Sequence, residues 1–217
     1  MKKNFGMTLI EVIISAGLLS IISILSFLAI QSSVKSSSLA FAQNEIDSAL
    51  RNTFNELTNL VKQAYTEAST NVTPPTAPPG VEPIQITNNG KGLRFFLPVR
   101  VNTPAFFQSS GPILINFENE DMGNATNPPN ALLDPGEDAN NDGTLTRRLV
   151  IQRGNNRTGV GSANCISNVS FQLLPDRSSS SNFLNVLYVY LEGTMRMGPG
   201  EGPIIRSELT GTIKLEN

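Results

Sequence analysis

The chain has 217 residues, with 16 Lys+Arg against 18 Asp+Glu and a formal net charge of −2. It contains no histidine and one cysteine, Cys165, which excludes a Ser-His-Asp triad, a Cys-His nucleophile and a histidine-ligated zinc centre built within one chain. The near-neutral balance argues against nucleic acid as a partner, and the acids cluster in one loop rather than forming a separated pair, so no enzyme is expected.

After Lys2 and Lys3, residues 7 to 30 form an apolar run whose one ionisable group is Glu11; the rest is aliphatic or aromatic, with Thr8, scattered serines and Gly17. As a helix the run spans roughly 36 Å, enough for the hydrocarbon core of a bilayer. The basic pair before it places the N-terminus in the cytoplasm and the rest of the chain outside. Ala40-Phe41-Ala42 offers a small-residue cleavage pattern, but it lies well beyond a run already longer than the about 7–15 apolar residues of a secretory signal. A plain anchor accounts for everything except Glu11, because a carboxylate in lipid is costly and such residues usually have a partner or a task.

The stretch Lys2-Lys3-Asn4-Phe5-Gly6 followed by Met7-Thr8-Leu9-Ile10-Glu11 resembles the class III signal of type IV pilins and type II secretion pseudopilins. The resemblance implies that a prepilin peptidase cuts after Gly6 on the cytoplasmic side and methylates the new amino terminus of Met7. Residues 1–6 are then a cleaved leader, 7–30 the transmembrane half of a long helix, and 31–217 a soluble domain. Once Met7 is the first residue its α-amine is a cation near neutral pH. Glu11 lies about one turn away within the helix, or opposite the amine of the next subunit in a staggered filament. Paired in this way the acid registers subunits against one another.

The helix is expected to continue over residues 31–68. Ile46, Leu50, Phe54, Leu57, Val61 and Ala64 recur at spacings of 4, 4, 3, 4 and 3, an amphipathic stripe with Asp47, Arg51, Asn55 and Lys62 off it. Pro74, Pro75, Pro78, Pro79 and Pro83 then end any helix. Residues 91–217 read as a β region, with strand-like runs near 93–99, 113–117, 147–153, 165–174, 183–193 and 207–216. Val169, Phe171 and Leu173 alternate with Ser170 and Gln172, while Val186, Tyr188 and Tyr190 alternate with Leu187, Val189 and Leu191. Strands in series without intervening helices predict an antiparallel sheet, so the fold class is α+β, a long N-terminal helix on an antiparallel sheet. Cys165 is expected to be a buried, inert thiol.

One loop carries a second chemical signal. Within residues 134–146, Asp138, Asn140 and Asp142 alternate and Gly143 follows, the spacing that opens a calcium loop of the EF-hand and dockerin kind. Thr144 falls where such a loop offers a carbonyl, and Thr146 where it offers a further contact. Leu149 stands at the twelfth position, where a full EF-hand has its bidentate Glu, so Asp134 or Glu137 would have to supply that carboxylate. The other reading is a polar Asn/Asp/Gly turn between two strands. Acidic loops also recur in proteins of the resembled family, which favours Ca2+.

The closing stretch "RSELTGTIKLEN" is similar to the last strand of the larger minor pseudopilins, and chain length favours the J type or a related minor pilin. The resemblance implies a structural subunit of a pilus-like filament in the bacterial inner membrane. Its partners would be other pilin subunits, the prepilin peptidase, the inner-membrane assembly platform and membrane lipid. The alternatives are a minor type IV pilin of a pilus or DNA-uptake machine, and a membrane-tethered adhesion module whose loops near 74–83, 102–112 and 121–146 meet a ligand.

Overall fold

The computed structural model describes residues 8–64, 84–102, 105–109, 111–120, 130, 132, 134, 136, 147–161, 165–175, 184–197 and 202–215. The chain divides into two compact units, Met1–Phe41 and Ala42–Asn217. One helix, α1 (Leu9–Val61), begins in the first unit and ends in the second. The serine-rich stretch around Lys35 does not interrupt it. It ends at Val61, short of the expected 68, where Lys62 N–H still reaches the Thr58 carbonyl but Ala64 N–H bonds Val61. That shift to an i→i+3 bond tightens the last turn, and Ala64 is fully buried.

In the second unit the strands are β1 (Gln85–Thr87), β2 (Gly92–Phe95), β3 (Pro98–Asn102), β4 (Ala105–Ser109), β5 (Ile113–Asn119), β6 (Arg147–Arg153), β7 (Asn156–Val160), β8 (Ile166–Pro175), β9 (Leu184–Arg196) and β10 (Ile204–Lys214). The main sheet runs β1-β2-β5-β6-β8-β9-β10, with β7 hairpinned onto β6, and every pairing is antiparallel. Each strand sits beside its predecessor in the chain, apart from two insertions: the separate β3-β4 hairpin between β2 and β5, and β7 between β6 and β8. The fold is therefore the expected α+β class, one long N-terminal helix with antiparallel sheets.

Burial explains why the helix stripe and the strand alternation were both readable. Ile46, Leu50, Leu57 and Val61 enter one core with Leu93, Phe95, Ile115, Leu149, Ile166, Leu187, Val189 and Leu191, while Phe54 is half-buried against it. On β9 the inward set is Leu187, Val189, Leu191 and Gly193, which leaves Tyr188 and Tyr190 on the opposite face. Gly193 is a point of close approach: a Cβ there would lie 2.8 Å from Ile46 Cγ2 and 3.3 Å from Leu50 Cδ2. A side chain on Gly211 of β10 would overlap the Phe54 ring. Glycine thus sets how near the helix can lie to β9 and β10.

The expected single strand near 93–99 is two strands, since Phe96 and Leu97 separate β2 from β3 and Pro98, lacking an amide donor, opens the second. Strand β7 was missed because Asn156, Arg157 and Thr158 show no apolar alternation; its pairing with β6 comes from the tight Gly154-Asn155 turn, with Gly154 at φ 58°. Strand β1 was missed because it has three residues; it turns into β2 through Asn88, Asn89 and Gly90, all at positive φ. Cys165 is buried, as expected, and its carbonyl accepts the Thr194 amide at 2.8 Å.

Candidate functional site: the apolar helix and its first turn

From Leu9 to Phe41 the large apolar side chains of α1 are 48–80% exposed. In water each would forgo about 1.5–3 kcal/mol of burial, tens of kcal/mol over the run, so the segment calls for an apolar surrounding that none of the described residues provides. The helix is long and apolar enough to cross a membrane: Leu9 to Ile30 spans roughly 33 Å. Two of its hydroxyls fit that setting. Ser20 Oγ donates to the Ala16 carbonyl at 2.9 Å and Ser23 Oγ to the Leu19 carbonyl at 2.8 Å, so neither carries an unmet donor into the apolar region.

Glu11 stands in the first turn. Its Oε2 accepts the Thr8 amide at 2.8 Å and the Thr8 hydroxyl at 3.0 Å, while the Glu11 amide donates to Thr8 Oγ1 at 3.4 Å. This reciprocal exchange is a capping box, which satisfies two of the amides a helix start leaves without intrahelical partners. Thr8 is thus one partner of Glu11, beside the Met7 amine that the resemblance leads one to expect there. Its signal was in the sequence, since Thr8-Leu9-Ile10-Glu11 has the Thr-x-x-Glu spacing of such a box. The second oxygen, Oε1, accepts no hydrogen bond among the described residues. Gly6 and Met7 lie outside the described residues.

Two further carboxylates of α1 hold its second half to the sheet. Asp47 Oδ1 accepts the Ser207 hydroxyl of β10, and Glu56 Oε2 accepts the Gly161 amide, just past β7, at 2.7 Å. No sequence signal links Glu56 to Gly161, 105 residues away.

The acidic loop joins the end of β5 to the start of β6, and the pair Asn119↔Arg147 brings its two ends side by side. Within it Asp134 Oδ2 accepts from Asn130 Nδ2 at 3.0 Å, and Asn130 Oδ1 accepts the Leu132 amide at 2.8 Å. Glu137, Asp138, Asn140, Asp142 and Thr144 lie outside the described residues. Among the described residues no three His, Cys, Asp or Glu side chains gather as a metal site would require.

On the sheet face away from the helix, Tyr190 stands beside Glu192 and donates to Glu208. Desolvation first, then the charges of Glu192 and Glu208, hold its hydroxyl above the usual tyrosine range. Comparison with known proteins adds nothing to this geometry: no family model, curated protein or solved structure matches the chain.

Proposed function

We propose that the chain is a minor pseudopilin, a structural subunit of the pilus-like filament of a type II secretion system, held in the bacterial inner membrane before assembly. The observation that carries the reading is the first helix: behind a Gly6-Met7 junction in the sequence, α1 has a Thr-x-x-Glu first turn, an apolar half that no described residue covers, and an amphipathic half buried on an antiparallel sheet. Cleavage after Gly6 would place a cationic α-amine one residue before the Thr8 cap, within reach of the carboxylate whose Oε1 is not engaged by the cap. That amine, from the same subunit or a neighbouring one, neutralises Glu11 in lipid and fixes the stagger between subunits. A minor pilin of a pilus or DNA-uptake machine would share every one of these features.

The acidic loop is proposed to hold one calcium ion through Asp138, Asn140, Asp142 and the Thr144 carbonyl, with Asp134 or Glu137 completing the shell. Calcium takes about 6–8 oxygens, so water fills what those groups leave. Anchoring both ends of the loop at the β5-β6 pair favours an ion that stiffens a connection rather than one that does chemistry.

N-terminal peptide and intact-mass analysis of the protein recovered from membranes tests the reading. A mature chain beginning at N-methylated Met7 is expected. A chain beginning at Gln43, or one retaining Met1, sinks it.

A further inference from the structure

Strand β10 closes one end of the main sheet, and among the described residues no strand lies on its far side. The other end is closed by β1, three residues long; β10 has eleven, in unbroken register with β9 from Ile204↔Arg196 to Lys214↔Val186. Long regular edges are templates for pairing, and folded proteins usually guard them with a proline, a bulge or an inward-pointing charge. β10 has a different guard, the charged side chains Arg206, Glu208 and Lys214, which oppose any strand that does not match them. It has no proline, no register shift, and its inward residues are Ile205, Ser207, Leu209, Gly211 and Ile213.

Its outward face carries an ordered set of charges, Arg206, Glu208 and Lys214, with Thr210 and Thr212 between. Glu208 lies directly opposite Glu192 across the β9-β10 ladder, an arrangement that disfavours the pair. Arg206 Nη1 comes within 4.0 Å of Glu192, the inner carboxylate. Glu208 receives a hydrogen bond from Tyr190 but forms no ion pair among the described residues. A cation arriving from the open side of the sheet is the missing complement.

We propose that β10 is a docking edge for an extended segment of another polypeptide, which adds to the sheet as an antiparallel strand with Lys or Arg opposite Glu208 and acids opposite Arg206 and Lys214. Backbone pairing supplies the attachment and the three charges fix register, since a one-residue slip would turn the segment's charged face to the other side. A second copy of the chain fits less well. Symmetric pairing through β10 runs the helical segment 42–61 in opposite directions in the two copies, whereas chains anchored in one membrane run it the same way.

The test uses the full chain in detergent micelles and the fluorescent peptide Glu-Val-Thr-Val-Thr-Val-Lys-Thr-Glu, which in antiparallel pairing places its Lys against Glu208. The comparison peptide has Lys and Glu exchanged. The first should bind about tenfold more tightly, from three charge pairs each reversed in sign, even though the second is better matched to the protein's net negative charge. Glu208→Lys should reduce or invert that preference; the side chain is exposed and its loss relieves the contact with Glu192, so the variant stays folded. N-methylation of the first peptide at one set of alternate residues should abolish binding, and at the other set leave it intact. Equal affinity for both peptides, no binding of either, indifference to N-methylation, or dimerisation of the protein through β10 would each overturn the proposal.

Discussion

Replacing Gly193 by alanine tests whether the helix lies on the sheet as tightly as the geometry requires. The new Cβ would stand 2.8 Å from Ile46 Cγ2 and 3.3–3.4 Å from Leu50, against an ordinary carbon separation of about 3.5–4.0 Å, so the helix or its side chains must withdraw by close to 1 Å. Overpacking of this kind costs about 1–3 kcal/mol, partly offset by the roughly 0.5–1 kcal/mol by which alanine improves on glycine within a strand. A net loss of about 1–2 kcal/mol lowers the melting temperature by about 2–8 °C in a domain of this size, measurable by circular dichroism in detergent. Ile46→Ala alone should cost about 2–5 kcal/mol through the cavity it leaves. The double variant decides the matter, because the Gly193→Ala methyl then fills the space that Ile46 vacated. Its loss should fall short of the sum of the two single losses by about 1 kcal/mol or more. Additive losses, or a Gly193→Ala protein that melts like wild type, would refute the close packing of α1 on β9.

Glu11→Leu should insert in membranes at least as well as wild type, having lost a costly charge, yet fail to restore export or enter filaments in a complementation assay; normal assembly would remove the pairing role of Glu11. Glu56→Ala leaves the Gly161 amide without its acceptor and should destabilise the protein by about 1–2 kcal/mol, with faster hydrogen exchange at Gly161; unchanged exchange would show that the bond contributes nothing. At calcium ten times its dissociation constant the proposed site adds roughly 1.4 kcal/mol, a rise of a few degrees in melting temperature. Asp138→Ala and Asp142→Ala should each abolish that rise. Identical melting in calcium and in chelator, with no heat of binding, would reduce the loop to a polar turn.

What the sequence disclosed about the fold follows from where burial is one-sided. Ile46, Leu50, Leu57 and Val61 repeat at helical spacing because only one face of α1 meets the sheet, and Val169 and Phe171 alternate with Ser170 and Gln172 because β8 buries only one side. Where burial is not the organiser, the pattern was silent. Strand β7 is polar and held by its turn and its partner, and the Gly154-Asn155 dipeptide was its one local mark. The bond from Gly161 to Glu56 and that from Ser207 to Asp47 join residues far apart in the chain, and nothing in either neighbourhood announces the other. Glu11 is the opposite case. Its cap is spelled out locally, by a threonine three residues before the glutamate.

The two roles of Glu11 are compatible because a carboxylate has two oxygens. Capping engages Oε2 alone and draws on Thr8, which the proposed cut leaves in the mature chain. Before cleavage the box gives the carboxylate polar company at the helix start, where the amide dipoles also favour a negative charge. After cleavage the amine would arrive beside a carboxylate already held in one rotamer by two hydrogen bonds, with Oε1 turned to no described partner. A side chain fixed in this way loses little further freedom on pairing, so the contact between subunits would be formed from groups already in position rather than from a mobile acid in lipid. On the proposed reading the threonine is therefore as much a part of the assembly signal as the glutamate, because it positions the charge that the next subunit meets.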